Sequence, residues 1–234
     1  DAGVTVNPPD GSHSETALHA AIDKQDVALV RGLLERGAAV HHAAPHESPL
    51  MAAARSESAE ILTMLLDAGA SPTWTSAAGR HALHWAVDQP QHIELLVARG
   101  ARLDDQVDTP LLTAARESSV EATKHLLAHG ARVDVRDEHG RTPLCCAIGL
   151  GAHELARLLI EAGASPTFMD RSTGETPLTS AVKHRAIATI ELLLARGGSL
   201  DDRNRAGEQV RELLQNQEEL RQAFAGRLES RGTI

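Results

Sequence analysis

One pattern of 25 residues recurs along the chain and restricts the folds that the chain can adopt. Its clearest copy, residues 140–164, reads GRTPLCCAIGLGAHELARLLIEAGA. Thr142-Pro143-Leu144 predicts the start of a short helix, because proline presets φ at a first helical position, where its missing N–H is not needed. Gly149-Leu150-Gly151 then interrupts the chain, and residues 153–161 read as a second helix. We therefore expect a helix–turn–helix unit.

The second helix of this unit carries an apolar stripe that a single unit cannot cover. Apolar residues three and four positions apart lie on one side of a helix. In this copy they are Leu155, Leu158, Leu159 and Ala162, and the matching sets are Leu29, Val30, Leu33 and Leu34 in the first copy and Ala122, Leu126 and Leu127 in the fourth. Because neither helix could bury its stripe alone, each unit must stack against others like it.

Six copies of the unit follow one another along the chain. Their opening triplets are Thr16-Ala17-Leu18, Ser48-Pro49-Leu50, His81-Ala82-Leu83, Thr109-Pro110-Leu111, Thr142-Pro143-Leu144 and Thr176-Pro177-Leu178. Successive triplets start 32, 33, 28, 33 and 34 residues apart. Five copies close on glycine-alanine and the sixth on Gly197-Gly198. A period near ~33 residues with this punctuation indicates an array of stacked repeats.

This pattern resembles the ankyrin repeat. The family's Thr-Pro-Leu-His-x-Ala is best kept at residues 16–21, and its Asp-x-x-Gly-x-Thr-Pro-Leu at residues 137–144. The resemblance covers residues 13–203 and implies an all-α solenoid of about six helix–turn–helix repeats with finger loops between them. We expect residues 1–12 to form an irregular arm, because they carry two prolines and two glycines. Residues 204–234 lose the triplet and keep an amphipathic pattern, which predicts a degenerate C-terminal helical cap.

The third repeat departs from the pattern. It runs 19 residues from His81 to Gly100, whereas the fourth runs 21 from Thr109 to Gly130. Asp88-Gln89-Pro90-Gln91 replaces the usual glycine turn between the helices. Two interpretations stay open: a tolerated change in a loop, or a notch shaped for a partner.

The composition excludes two classes of partner. The formal net charge is −9, whereas nucleic acid and anionic membranes both demand clustered Lys and Arg. No run approaches the ~18 apolar residues of a membrane helix. Arginine outnumbers lysine, which favours a bacterial source with a GC-rich genome. The chain begins at Asp1 without a methionine, which leaves open a cytoplasmic location and, after removal of a signal peptide, a periplasmic one.

Neither an enzyme motif nor a metal motif stands out. The sequence contains no Gly-x-Ser-x-Gly, phosphate loop or His-Glu-x-x-His, so we expect a protein that is not an enzyme and holds no cofactor or metal. The alternative is a metal-binding or enzymatic protein that uses its histidines, since His41, His42 and His46 share one loop. Cys145 and Cys146 are adjacent, which strains a bridge between them. Buried thiols are favoured over a redox switch.

The ankyrin resemblance implies a protein partner that contacts the finger loops and the exposed side of each first helix, which together form a concave groove. Carried over by position, the charged candidates are Glu47, Arg55, Arg80, Asp108, Arg116 and Arg141. The planar fork of arginine suits carboxylates, which favours a protein partner over a polyanion. An ordinary solvated surface is the alternative for each residue. Analogy with standalone bacterial repeat proteins suggests an immunity-protein-like inhibitor of a toxin or enzyme encoded nearby, monomeric when free.

Three aromatic residues complete the candidate site. Trp74 and Phe168 occupy the same finger position in the second and fifth repeats. Core packing should not demand a large ring there, so each ring is either an anchor for a partner or part of its own hairpin. Trp85 fills a variable position on the first helix of the third repeat and belongs either to the groove or to the core.

Overall fold

The computed structural model describes residues 6–7, 16–41, 47–104 and 108–229. Within these ranges the chain forms fifteen α-helices and no β-strand, and none of the helices is long and apolar enough to cross a membrane. The helices are α1 (Ala17–Asp23), α2 (Val27–Glu35), α3 (Pro49–Arg55), α4 (Ala59–Asp67), α5 (Ala82–Trp85), α6 (Gln91–Ala98), α7 (Pro110–Arg116), α8 (Val120–Ala128), α9 (Pro143–Gly149), α10 (His153–Glu161), α11 (Pro177–Lys183), α12 (Ile187–Ala195), α13 (Val210–Gln215), α14 (Glu218–Ala223) and α15 (Ala225–Glu229). The predicted all-α fold of about six helix pairs is confirmed.

The opening triplets start the first helices as predicted. Thr16, Ser48, Thr142 and Thr176 have extended backbones, and each side-chain oxygen accepts the backbone N–H of the residue three positions on. Proline follows at the start of α3, α9 and α11. A side-chain cap of this kind stabilises a helix by about 1 kcal/mol. The capping residues therefore fix where these short helices begin.

The chain packs as two compact units, residues 1–110 with 128–131 and residues 111–127 with 132–234. In the first unit the first helices α1, α3 and α5 pack in series, and the second helices α2, α4 and α6 pack in a row of their own. In the second unit α9, α11 and α13 pack in series, α10 packs on α12, and α14 connects α13 to α15. Within each unit, successive repeats thus bury one another's helices.

The apolar stripes form the cores of both units. Ile61, Leu62 and Leu65 on α4 and Leu126 on α8 are fully buried. The prediction for Leu29 on α2 is wrong, since this side chain is 46% exposed. Among the described helices, α2 has its main contacts with α1 and α4, and these contacts bury Val30 fully but leave Leu29 partly uncovered.

The prediction of the apolar stripe on α10 is only partly correct. Leu155 and Leu159 are fully buried, as predicted, and Ala156 and Ile160 join them. Leu158 is half-buried, and Ala162 is exposed because it follows the last residue of the helix as its C-cap. The buried side of α10 is therefore rotated by about one residue from the predicted one.

The third repeat is irregular in its helices as well as in its length. Helix α5 ends after four residues, and a 3-10 turn over Ala86–Asp88 continues it. Pro90 then caps α6, while the side chain of His92 donates from Nδ1 to the carbonyl oxygen of Ala54 on α3 at 3.0 Å. The change at Asp88-Gln89-Pro90-Gln91 therefore shortens a helix without breaking the contact to the second repeat.

A pair of leucine variants tests the assignment of the core. Leu126→Ala leaves a cavity under a fully buried side chain and should lower the free energy of unfolding by about 2–5 kcal/mol. Leu29→Ala makes the same change at a side chain that is 46% exposed and should cost about 1 kcal/mol or less. Urea unfolding of the two variants measures the difference, and equal losses would contradict the burial described here.

Candidate functional site

Ion pairs connect the charged candidates of the first unit. Arg55, at the end of α3, binds Glu47 through Nε at 3.1 Å and Asp23 of the preceding first helix through Nη2 at 3.2 Å. Arg80 binds Asp108, the residue before the next opening triplet, with 3.4 Å between Nε and Oδ2. The structure therefore brings Glu47 together with Arg55, and Arg80 together with Asp108. Each guanidinium is partly exposed while a carboxylate orients it.

Asp137 joins the two candidate arginines of the second unit. Its side chain is only 3% exposed, and Oδ2 lies 3.1 Å from Nη2 of Arg116 and 2.8 Å from Nε of Arg141. Oδ1 accepts the backbone N–H groups of His139 and Arg141. Burial alone would raise the pKa of Asp137, but the hydrogen bonds from Arg141 and Arg116 outweigh it and hold the pKa below its ordinary value. Asp137 is therefore a carboxylate at neutral pH and fixes both guanidiniums.

The sixth repeat repeats this arrangement with a lysine. Lys183, at the end of α11, binds Glu175 at 2.7 Å and Glu208 at 2.9 Å through Nζ. These hydrogen bonds raise the pKa of Lys183. In both units, cations at the ends of first helices are thus held in one orientation by carboxylates of adjacent repeats. Pairs with two exposed partners, such as Arg55 and Asp23, add little stability, so their main effect is on side-chain order.

The three aromatic candidates lie in different settings. Trp74 is half-buried in a finger turn, where its backbone N–H donates to Ser71. The half-buried ring of Phe168 lies under the guanidinium of Arg136 from the neighbouring finger, 3.9 Å from its centroid. Trp85 is half-buried at the end of α5, and its indole Nε1 is buried without a hydrogen-bond partner among the described residues. Their roles as partner contacts stay predictions.

Two histidines in the family's His position link successive repeats. His84 accepts the backbone N–H of His81 at Nδ1 and donates from Nε2 to the carbonyl oxygen of Asp108 at 3.2 Å. Nε2 of His19 lies 3.3 Å from the carbonyl oxygen of Glu47 in the same way. The local support of the helix start that the resemblance implies is present as a capping box in α1 and α5. The hydrogen bond from Nε2 to the next repeat is a second structural role of the same imidazole ring.

His84 must be neutral to make both bonds. Burial and the adjacent ring of His81 lower the pKa of His84 from 6.5 to about 4. The unfolded chain takes up a proton near the ordinary pKa, and the folded chain does so only near the lower value. The stabilisation is therefore fully present above the unfolded pKa and is lost as the pH falls through the folded one.

This difference in pKa makes a measurable prediction. Between pH 7.5 and pH 5, His84 should account for about 2 kcal/mol of lost unfolding free energy in the wild type. His84→Gln removes the titrating group and should reduce the pH dependence by about that amount. Urea unfolding at the two pH values measures it, and an identical pH dependence in both proteins would show that folding does not lower the pKa of His84.

Two clefts flank helix α9 in the second unit. One, of about 290 Å³, is lined by Arg116, Arg141, Cys145, Cys146, Gly149, Leu150, Asp170, Ser172 and Thr173. The other, of about 280 Å³, shares Cys145, Gly149, Asp170 and Thr173 with it and extends to Lys183 and His184. The first cleft therefore contains two of the predicted contact residues, Arg116 and Arg141.

Cys145 and Cys146 are free thiols, as expected for adjacent residues on one helix. Burial raises the pKa of both thiols, that of Cys146 to about 11. Cys145 occupies the His position, where its Sγ donates to the carbonyl oxygen of Phe168 at 3.7 Å and accepts from Thr142. Protonated thiols are poor nucleophiles, which agrees with the structural interpretation.

The predicted histidine cluster falls at a gap in the described residues. His41 ends the stretch 16–41, and His42 and His46 lie outside the described residues. In the part of the chain that the structure describes, no three His, Cys, Asp or Glu side chains form a group able to hold a metal ion. The metal hypothesis for these three histidines stays a hypothesis.

Sequence reasoning missed the contacts of Asp137 with this surface and assigned no binding role to Leu150, although Leu150 stands in a groove position. Asp137 stands in the family motif Asp-x-x-Gly, which marks the finger turn, but the motif does not reveal that Arg116 reaches it from α7. Leu150 follows Gly149 at the end of α9, where it is 58% exposed. A signal was available for it: an apolar residue stands where α1, α3 and α11 have the polar C-caps Lys24, Ser56 and His184.

Comparison with known proteins identifies the class. A family model described as ankyrin repeats in three copies matches residues 18–107, 83–170 and 111–204. The chain belongs to the ankyrin-repeat family, whose domains are generally protein–protein interaction modules.

Several proteins are similar to this chain over much of its length. It is 36% identical over 118 residues to an ankyrin repeat-containing protein of Treponema pallidum, covering 48% of this chain and 40% of that one. It is 27% identical over 195 residues to the mouse B-cell lymphoma 3 protein homolog, covering 80% of this chain and 38% of the relative. It is 36% identical over 191 residues to ankyrin repeat domain-containing protein SAT10 of the fungus Stachybotrys chartarum, covering 78% of this chain and 10% of that one.

These relatives extend well beyond the matched region, since the chain spans two fifths or less of the length of each. They come from a bacterium, a mammal and a fungus, so a bacterial source stays a prediction.

Two solved structures share the fold. The ankyrin repeat domain of human ASB11 superposes with a TM-score of 0.79 at 24% identity, covering 91% of this chain and 98% of that one. The ankyrin repeat domain of Bcl-3 superposes with a TM-score of 0.75 at 24% identity, covering 86% of this chain and 94% of that one. Both similarities support the ankyrin fold assigned from the repeats.

Proposed function

We propose that this chain acts by binding one protein partner, and not by catalysis, through the finger loops and the ends of its first helices. The observation that carries the proposal is the set of ion pairs that hold Arg55, Arg80, Arg116 and Arg141 in fixed orientations while leaving them partly exposed. Side chains ordered before binding lose less conformational entropy when a partner docks. Arginine is also among the residues that contribute most to protein interfaces.

The aromatic candidates support the same proposal. Trp74 and Phe168 are half-buried, so each exposes part of a large ring beside polar neighbours. Contacts of this kind supply much of the binding energy in protein interfaces. We assign Trp74 and Phe168 as anchors and the arginines as polar contacts to carboxylates of the partner.

In this proposal, binding of the chain inhibits the partner. A standard interface covers about 800 Å² on each partner, which is enough to exclude another ligand from the covered surface. The analogy is to immunity proteins, which neutralise a toxin or enzyme encoded nearby. If the captured partner is an enzyme, adding this chain should reduce its turnover.

Two arginine variants test the location of the binding surface. Arg80→Gln removes a finger-loop cation next to the start of first helix α5, with a side chain that is 41% exposed. Arg99→Gln removes a cation that is 37% exposed but follows second helix α6 and binds Asp67. Both guanidiniums are partly exposed, so each change should lower the stability by about 1 kcal/mol or less. Arg80→Gln should reduce partner capture about tenfold, and Arg99→Gln should not.

Capture is measured with the immobilised chain in a lysate of the organism that encodes it, by quantitative mass spectrometry of the retained proteins. Equal capture by Arg80→Gln, Arg99→Gln and the wild type would place the binding surface elsewhere.

A further inference from the structure

The row of charged residues is interrupted at the fifth repeat. The last residues of the first helices α1, α3, α7 and α11 are charged, namely Asp23, Arg55, Arg116 and Lys183. Helix α9 ends instead on Gly149. Its C-cap is Leu150, whereas the C-caps of α1, α3 and α11 are Lys24, Ser56 and His184. Among the first helices of seven residues, which exclude the short α5, α9 therefore presents an uncharged, apolar end where the others present charged ones.

This apolar end is open to solvent. Leu150 is 58% exposed, and Leu29 is the only other exposed large hydrophobic side chain among the described residues. A Cβ atom added at Gly149 would meet nothing within 4 Å. Gly149, Leu150, Cys145 and Cys146 are the apolar residues that line the 290 Å³ cleft beside α9. A volume near 300 Å³ lies at the lower limit of small-molecule pockets and suits one or two side chains of a protein.

The walls of the cleft carry positive charge. Arg116 and Arg141 line it with side chains 31% and 37% exposed. Arg141 commits Nε to Asp137, which leaves its Nη groups for a ligand, since they form no hydrogen bond among the described residues.

The single carboxylate in the lining, Asp170, is buried, and its Oδ1 accepts hydrogen bonds from the backbone N–H and hydroxyl of Ser172 and the backbone N–H of Thr173. The exposed charges that face a ligand are therefore the guanidiniums.

We propose that this cleft recognises a protein segment in which an apolar side chain stands next to a carboxylate. The apolar side chain lies over Gly149 against Leu150, and the carboxylate accepts hydrogen bonds from Arg141. Burying the exposed leucine supplies the hydrophobic contribution, and the planar fork of arginine matches the carboxylate geometry. The proposal rests on the proposed function, because it names the partner chemistry for one part of that surface.

The test uses random peptides displayed on phage and selected on the immobilised full chain. Enriched peptides should pair an apolar residue with Asp or Glu at neighbouring positions. Synthetic copies are then titrated by fluorescence anisotropy, and replacing the Asp or Glu by Asn or Gln should weaken binding about tenfold.

Matched variants locate the bound peptide. Gly149→Gln fills the cleft without adding charge, and it should weaken binding about tenfold or more with an unchanged thermal melt. Leu150→Ser copies the residue found at Ser56 and should weaken binding in the same way. Gly226→Gln is the control, because a Cβ atom at this glycine of α15 also meets nothing within 4 Å, and it should bind like the wild type.

The outcomes separate this inference from the function on which it rests. Peptides without an acidic preference, or peptides that bind Gly149→Gln and Leu150→Ser as well as the wild type, would overturn the cleft assignment. If those same peptides bind Arg80→Gln more weakly, the protein-binding surface stands and only the cleft is wrong. Failure to enrich any peptide above a blank support would overturn the cleft assignment, whereas the proposed function is overturned only if Arg80→Gln captures its partner as well as the wild type does.

Discussion

The contact between one repeat and the next is the interaction on which the rest of the structure depends. No helix in the described chain could bury its apolar side alone, and side chains such as Leu126 become fully buried only in the stack. Polar links run between the same neighbours: His84 donates to the carbonyl oxygen of Asp108, and Arg55 reaches Asp23 of the preceding repeat. Stability and the arrangement of polar groups therefore arise from the same contacts.

This constraint also shapes the surface available to a partner. A carboxylate at one repeat fixes a cation at the next, as Asp137 does for Arg116 from α7. Short capped helices form the backbone that positions these charged groups. The side chains at the ends of these helices can therefore vary without changing the fold. At α9 they do vary: Gly149 and Leu150 replace the charged end, and the surface acquires an apolar cleft between guanidiniums. The side chains at the ends of the first helices can therefore determine which partner binds, while the buried contacts between repeats stabilise the fold.

Local sequence signals predicted the fold well, because they act within a few residues. The Thr-Pro-Leu triplets cap their own helices, and the second helix of the fifth repeat begins and ends as its pattern indicated. What could not be predicted lies between residues about one repeat apart. The ring of Phe168 meets Arg136 of the adjacent finger, and the stem of Arg171 packs over Gly140, which has no room for a Cβ atom. Such contacts depend on how fingers pack against one another, which no short motif encodes.

The most direct test of this account is the order of the guanidiniums, measured by ¹⁵N relaxation of the arginine Nε–H groups in the free protein. Arg141 binds buried Asp137 through Nε at 2.8 Å, whereas Arg157 on α10 binds Glu161 only through a terminal nitrogen. A pre-ordered binding surface predicts an order parameter for Arg141 near the value of about 0.85 typical of rigid backbone, and a lower one for Arg157. A value for Arg141 below about 0.6, equal to that of Arg157, would contradict the claim that the ion pairs order this surface before a partner binds.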